Sequence, residues 1–387
     1  MIENVKELKQ FMDDGSMLLP DIPVLLRLLQ TLGAPEEVDY DYLMSISGSA
    51  VRLSWQQGWA AYEGEPNQSG LFADGDRLSL IRNCLDRTGV TYQTRFLESA
   101  REYWKDEFSG PVEWIGLEQA RQEIFVSIDR GVPVVIHGGE TVFFLAVGYE
   151  EDTLWGVAVF VPPEERIPPY QYAKFKNWDD AYGYFLVEDY THRPMDRELL
   201  LQTLQTAVSL ARTSKNPRLG DTALGVSAFD AVAEHMVWDE GFANLSPHEP
   251  YSGSLSWQYD RPDGYYRVDG ARTLADRFWA GYCDFLCMLN GYCNFSRFLL
   301  RYSGILPDWS DKLREAAGYY DRACDYSGAL WQYVTADDSG LEKFKTDDVR
   351  SIFAAHMLRA KIYTLKAVEI FEQIIEEANE RERGKKL

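Results

Sequence analysis

Side chains able to do chemistry are few and scattered in this chain. The histidines are His137, His192, His235, His248 and His356, and no His-x-x-x-His or His-x-Glu pair places two ligands on one helical face. No metal and no cofactor is therefore expected. Gly138-Gly139 precedes a strand pattern rather than a helix, and neither Gly-x-Gly-x-x-Gly nor a Walker lysine occurs, so nucleotide binding has no motif behind it. The cysteines are Cys84, Cys283, Cys287, Cys293 and Cys324, an odd count without a Cys-x-x-Cys pair, which predicts reduced, buried thiols rather than disulfides or a zinc knuckle.

Hydroxyl chemistry has one candidate place. Ser47-Gly48-Ser49 falls on a tight turn that could display a nucleophile, although it is not the Gly-x-Ser-x-Gly of a nucleophile elbow, and a turn serine ordinarily bonds nearby backbone. His137, with Glu140 three residues on, could form an acid–base pair; the competing reading is a loop-end histidine with solvent partners. Val51, Leu53 and Trp55 alternate with Arg52, Ser54 and Gln56, which predicts a strand with one face on the core and the other toward a cleft or solvent. Arg52 then either pairs with a surface carboxylate or offers a forked donor to a ligand carboxylate or phosphate. Arg52, Ser54, Trp55 and Glu140 form the candidate ligand-binding set.

The elements that must position these residues follow from periodicity. Asp21 to Gly33 repeats apolar residues at helical spacing, Asp41 to Trp59 reads as a turn leading into a strand, Asp76 to Gly89 as a helix and Val90 to Phe96 as a strand. Glu118 to Arg130 is helical. Pro133 to His137, Val142 to Tyr149 and Leu154 to Val161 form an antiparallel β-meander, the prolines of 162–176 interrupt regular structure, and Tyr182 to Val187 supplies a last strand. Beyond Pro194 the patterns are long and helical: Arg197 to Arg212, Ala223 to Trp238, Leu274 to Leu300, Trp309 to Val334 and Asp348 to Glu377. Ser214 to Gly220 and His248 to Gly264 are the expected long loops. Ile352, Ala355, Leu358, Ile362, Leu365, Val368 and Phe371 form a stripe that seats the last helix inside a bundle, and Glu376 to Leu387 is expected to fray. The expected fold class is α+β, with an α/β domain over 1–190 and an all-helical domain over 191–387, packed through aromatic-rich faces.

Composition bounds the partners. With 387 residues, 45% of them hydrophobic, there is ample material for a core. The 61 acidic residues against 39 basic give a net charge of −22, a field that repels phosphate backbones and anionic bilayers, so neither nucleic acid nor membrane is expected as a partner. Met1 to Lys9 shows no cationic flank before an apolar run, and no segment offers the roughly 20 apolar residues of a membrane helix, which places the expectation in the cytosol. A small molecule, an acyl carrier or a peptide remains as a ligand class, and a homo-oligomer is compatible with the aromatic content.

Several stretches resemble a family. Leu32-Gly33 closing the first helix, Asp41-Tyr-Leu-Met-Ser-Ile-Ser-Gly-Ser-Ala-Val-Arg-Leu-Ser-Trp, Asp129-Arg-Gly-Val-Pro-Val-Val-Ile and Phe144-Leu-Ala-Val-Gly-Tyr-Glu-Glu-Asp-Thr-Leu-Trp-Gly look like the bacterial proteins named after the butirosin-biosynthesis protein H N-terminal domain. Asn290-Gly-Tyr-Cys-Asn-Phe-Ser-Arg-Phe-Leu-Leu, Leu313-Arg-Glu-Ala-Ala-Gly-Tyr-Tyr-Asp and Trp331 look like the helical domain that accompanies it. The resemblance implies a papain-like fold close to the C39 peptidases, a cysteine at the start of the first helix, a histidine opening the strand before Gly148-Tyr149, and an acidic residue on the next strand. The first helix holds no cysteine, with Val24 and Leu28 where one is expected, and Val142 stands near the histidine position. Without thiolate and imidazole, papain-type acyl transfer cannot run. Two readings follow: a catalytically inactive papain-like module that binds a peptide, an acyl group or a protein partner, or an acyltransferase or hydrolase using Ser47 or Ser49 with His137 as base.

Overall fold

Asp21 to Thr31 is apolar almost all round, and a helix of that kind has to be buried on every side. Helix α1 (Asp21–Thr31) obeys this, with Ile22, Val24, Leu25, Leu28 and Leu29 all inaccessible. The computed structural model describes residues 21–56, 78–104, 112–138, 143–158, 172–175, 178, 181–216, 222–237, 284–330, 333, 343 and 345–384. Over these it is α+β, with a mixed sheet in the N-terminal part and a helical region after it.

The turn-to-strand expectation for 41–59 gives way to a second helix, α2 (Tyr40–Ser47), a single 3-10 turn at Ser49–Val51, and a strand β1 of only three residues (Ser54–Gln56). Caps decide this. The Asp39 carboxylate accepts the Tyr42 N–H at 2.9 Å, and Gly48 terminates the helix at φ 89°, a left-handed conformation that costs glycine nothing.

After α3 (Ser79–Thr88) come β2 (Val90–Leu97), α4 (Arg101–Trp104), β3 (Glu113–Ile115), α5 (Leu117–Asp129), β4 (Val134–Gly138), β5 (Phe143–Glu150), β6 (Thr153–Ala158), β7 (Tyr172–Phe175) and β8 (Ala181–Tyr190). They form one sheet in the order β3-β2-β8-β4-β5-β6-β7, antiparallel except for the β2–β3 pair. The meander from β4 to β6 is as expected. Strand β7 is not, since it lies within the proline-bearing stretch 162–176 for which no regular structure is expected. The period of two sorts the sheet into two faces. Val135, Leu145, Val157 and Phe185 join the α1 side, whereas Val134, Ile136, Phe144, Ala146 and Tyr184 pack with Ala120, Ile124 and Ile128 of α5.

The second part comprises α6 (Arg197–Arg212), β9 (Thr222–Leu224), α7 (Val226–Met236), α8 (Asp284–Tyr302), α9 (Ser310–Leu330) and α10 (Asp347–Gly384). It is not all-helical: β9 pairs antiparallel with β1, Ser54 opposite Leu224 and Gln56 opposite Thr222. The expected loop at 248–264 lies outside the described residues. One buried cluster runs from α1, α2 and α3 through α6 to α10, with Tyr42 edge-on to Phe298 and Tyr302 at 6.2 and 5.9 Å. Helix α8 presses its backbone on the 3-10 turn at Gly291, where an added Cβ would lie 2.7 Å from the Ala50 carbonyl oxygen. Gly291→Val is expected to cost about 1–3 kcal/mol by forcing α8 off the turn. Chemical denaturation reads this, and an unchanged midpoint would refute it.

Three expectations are overturned in the helical part. Cys293 of α8 and Cys324 of α9 form a disulfide, Cα to Cα 6.0 Å, instead of remaining reduced, while Cys84 is a free, buried thiol. The face of α10 that meets the bundle is Phe353, Met357, Ala360, Thr364, Ala367 and Phe371, because close helix approach selects the small residues at 360, 364 and 367. The stripe expected to do so is partly outside, with Leu358 43% and Ile362 53% exposed. The tail does not fray at Glu376, as α10 continues to Gly384 with Ala378 buried.

Candidate functional site

The hydroxyls of the Ser47-Gly48-Ser49 turn are brought together but turned inward. Ser47 Oγ lies 3.1 Å from Ser49 Oγ, 3.2 Å from the Met44 carbonyl, and accepts the Ser49 N–H at 3.2 Å; both residues are buried. Helix α3 closes the same end of α2. Arg87 donates to the Ile46 carbonyl and to Thr206 Oγ1, and Asn83 donates to the Ser47 carbonyl at 3.4 Å. Burial, with Arg193 nearby, pulls the Arg87 guanidinium below its ordinary pKa. Among the described residues, no imidazole or carboxylate hydrogen-bonds either serine. These are capping groups in a dry setting.

Arg52, Ser54 and Trp55 occupy the junction of the two parts. The alternation expected one face at a cleft or in solvent; instead both faces are covered, with Arg52 at 2% exposure, Ser54 at 1% and Leu53 at 3%. A period of two separates faces without saying what covers each, and here α8 covers the second: Ser54 Oγ is 3.9 Å from Met288 Sδ. Trp55 donates its indole N–H to Nδ1 of His235 at 2.5 Å and stands edge-on to Phe285 at 6.0 Å. That bond leaves the neutral His235 proton on Nε2.

His137 is the last residue but one of β4, on the sheet face shared with Val135 and opposite Gly183. Of the two expectations for it, the loop-end histidine with solvent partners gives way: it is a buried strand residue, its ring 6.3 Å from Phe96 and 5.8 Å from Tyr182. No hydrogen bond joins it to Ser47 or Ser49 among the described residues. Glu140 lies outside them, so its relation to His137 is not described. Helix α1 presents only buried alkyl groups at Val24, Leu25 and Leu28. No group of His, Cys, Asp and Glu able to hold a metal occurs among the described residues, and no described helix is long and apolar enough to cross a membrane.

Two clusters had no sequence signature. On the α5 side of the sheet, Arg95 pairs with Glu113 and lies 3.5 Å from Glu123, which accepts the Tyr184 hydroxyl at 2.8 Å. Burial, reinforced by Glu123, pushes the Tyr184 phenol well above its ordinary pKa, so it stays a donor. Between α6 and the end of α10 lies a recess of about 550 Å³, lined by Arg197, Gln202, Gln205, Ile375, Ala378 and Asn379 among others. Arg197 also covers Trp309, with its guanidinium carbon 5.1 Å from the ring centre. Such pairings join residues distant in sequence, 61 positions apart for Glu123 and Tyr184 and 112 for Arg197 and Trp309, and carry no local pattern.

Comparison with family models finds no match for the chain, and a search of curated proteins finds none either.

Proposed function

We propose that this chain is a non-catalytic binding module of papain-like type, taking a peptide, an acyl group or a protein partner. The observation that carries the reading is helix α1, whose Val24, Leu25 and Leu28 are wholly buried where the resembled family would present its thiol. The buried Ser47–Ser49 hydroxyl pair supports it, because a nucleophile needs a base within hydrogen-bond reach and these groups bond each other and backbone. Bound ligands rather than bond cleavage are what such a chain offers.

Treatment with a fluorophosphonate and, separately, with iodoacetamide, each followed by intact mass and peptide mapping, tests the reading. No adduct is expected on Ser47 or Ser49, and Cys84 should react more slowly than a free thiol, being buried. Ser47→Ala with Ser49→Ala should lower stability by about 0.5–1.5 kcal/mol per lost hydrogen bond without altering any probe adduct. A fluorophosphonate adduct on Ser47 or Ser49, or rapid alkylation of Cys84, would restore the enzymatic reading.

A further inference from the structure

The apolar stripe that α10 turns outward has no partner among the described residues. Ala355, Leu358 and Ile362 follow one another at spacings of three and four on the side opposite the bundle face, with Leu358 43% and Ile362 53% exposed. Beside the stripe, Tyr363 of α10 stacks between Tyr319 and Tyr326 of α9 at 6.1 and 6.0 Å. Cations cover this ladder. Lys366 Nζ is 5.4 Å from the Tyr319 ring and 5.5 Å from Tyr363, and the Arg322 guanidinium carbon is 5.6 Å from Tyr363. Arg359 is exposed on the same flank, one turn before Tyr363. In a chain with 61 acidic and 39 basic residues most cations can find a carboxylate, yet Arg322, Arg359 and Lys366 form no ion pair among the described residues.

We propose that this face of α10 and α9 docks an amphipathic helix of another protein, one whose apolar stripe is flanked by carboxylates. Leu358 and Ile362 supply the apolar contact, and Arg322, Arg359 and Lys366 select the acidic flank, the side chains of Arg322 and Lys366 already held over the tyrosine ladder. A second copy of this chain fits poorly. Laying the stripe antiparallel on itself about residue 360 sets Leu358 against Ile362 but lines up Arg359 and Lys366 of both copies along one flank, cation on cation, while Lys361 on the other flank is already paired with Asp230. A bilayer would find only two large apolar side chains to take up, Leu358 and Ile362, too few for stable insertion. The proposal uses none of the residues of the ligand-binding reading and stands whether or not that reading holds.

The test uses the full chain and two synthetic helical peptides with the same leucine stripe, one flanked by glutamates and one by lysines, followed by fluorescence polarisation. The glutamate peptide is expected to bind at least roughly tenfold more tightly than the lysine peptide, with affinity falling as salt rises. Leu358→Asp with Ile362→Asp should weaken it by a further factor of about ten, and Arg322→Glu, Arg359→Glu and Lys366→Glu together should reverse the preference between peptides. All five positions are at the surface, and unchanged melting temperatures verify that the variants fold. Equal affinity for the two peptides, or affinity untouched by the variants, would overturn the proposal. So would sedimentation showing a dimer that Leu358→Asp with Ile362→Asp dissolves, which assigns the face to a second copy, or binding to phosphatidylglycerol vesicles in preference to the glutamate peptide.

Discussion

Reducing the Cys293–Cys324 bond, or replacing both cysteines by alanine, should lower the unfolding free energy by about 3–4 kcal/mol, the entropy released to an unfolded chain when a 31-residue loop is opened. The bond closes the short connection between α8 and α9, and the two helices meet there through other contacts as well. Ser327 donates to the Asn290 side chain, and Tyr292 stands perpendicular to Tyr320 at 4.8 Å. Those contacts keep the native pair in place after reduction, so the loss appears as reduced stability rather than as a changed fold. Thermal unfolding with and without reductant measures it. The wild type should melt several degrees lower in reductant, while the doubly substituted chain should be insensitive to it and start from the lower value. A wild-type melting temperature indifferent to reductant would show that the bond contributes nothing.

Trp309→Ala should cost about 3–5 kcal/mol, the usual range for removing a large aromatic from a packed site. Trp309 is 2% exposed, and three elements converge on it. Arg197 from the start of α6 and Arg381 from the end of α10 lie over its ring, 5.1 and 4.7 Å from its centre, and its indole N–H donates to Glu377, which also accepts from Lys312. Trp309→Phe keeps most of the area and loses the donor, so an intermediate cost is expected. The hydrogen bonds from Lys312 and then Trp309 hold the Glu377 carboxyl below its ordinary pKa. A lowered folded pKa stabilises above the unfolded value and is lost as pH falls through the folded one, so this contribution weakens in acid. Urea titrations of the three proteins decide the matter, and a Trp309→Ala loss under about 1 kcal/mol would refute the packing account.

Long helices and the meander were legible because their signals are local. The pattern from Arg197 to Arg212 coincides with α6, and α3 stops at Gly89, φ 86°, where the helix pattern from Asp76 ends. What failed depended on distant partners. Helix α2 was hidden because Val51, Leu53 and Trp55 gave a period of two, while the signals that fix the helix are single residues, Asp39 and Gly48. On α10, two stripes compete. The more hydrophobic one, through Leu358 and Ile362, looked like the core, but packing density against α7 and α9 favours Ala360, Thr364 and Ala367. Cys293 and Cys324 meet through the docking of two helices, which no spacing rule contains. For the candidate site, residue types were readable and their burial was not: Ser54 is inside because α8, more than two hundred residues downstream, covers it, and Arg52 is as deeply buried.

Strand β8 lies in the middle of the sheet although it comes last in sequence among the seven, registered on one side against β2, Val90 opposite Tyr190, and on the other against β4, Val135 opposite Phe185. During synthesis, β2 with β3 and the run from β4 to β7 are therefore made as two separate pieces, each with an unsatisfied inner edge, until residues 181–190 leave the ribosome. The sheet closes by insertion rather than by extension, a long-range step that is slow relative to hairpin formation. A nascent chain stalled before Ala181 would expose two strands that normally face β8, edges able to pair with other chains. The order of translation thus makes the last ten residues of the sheet the ones on which its solubility depends.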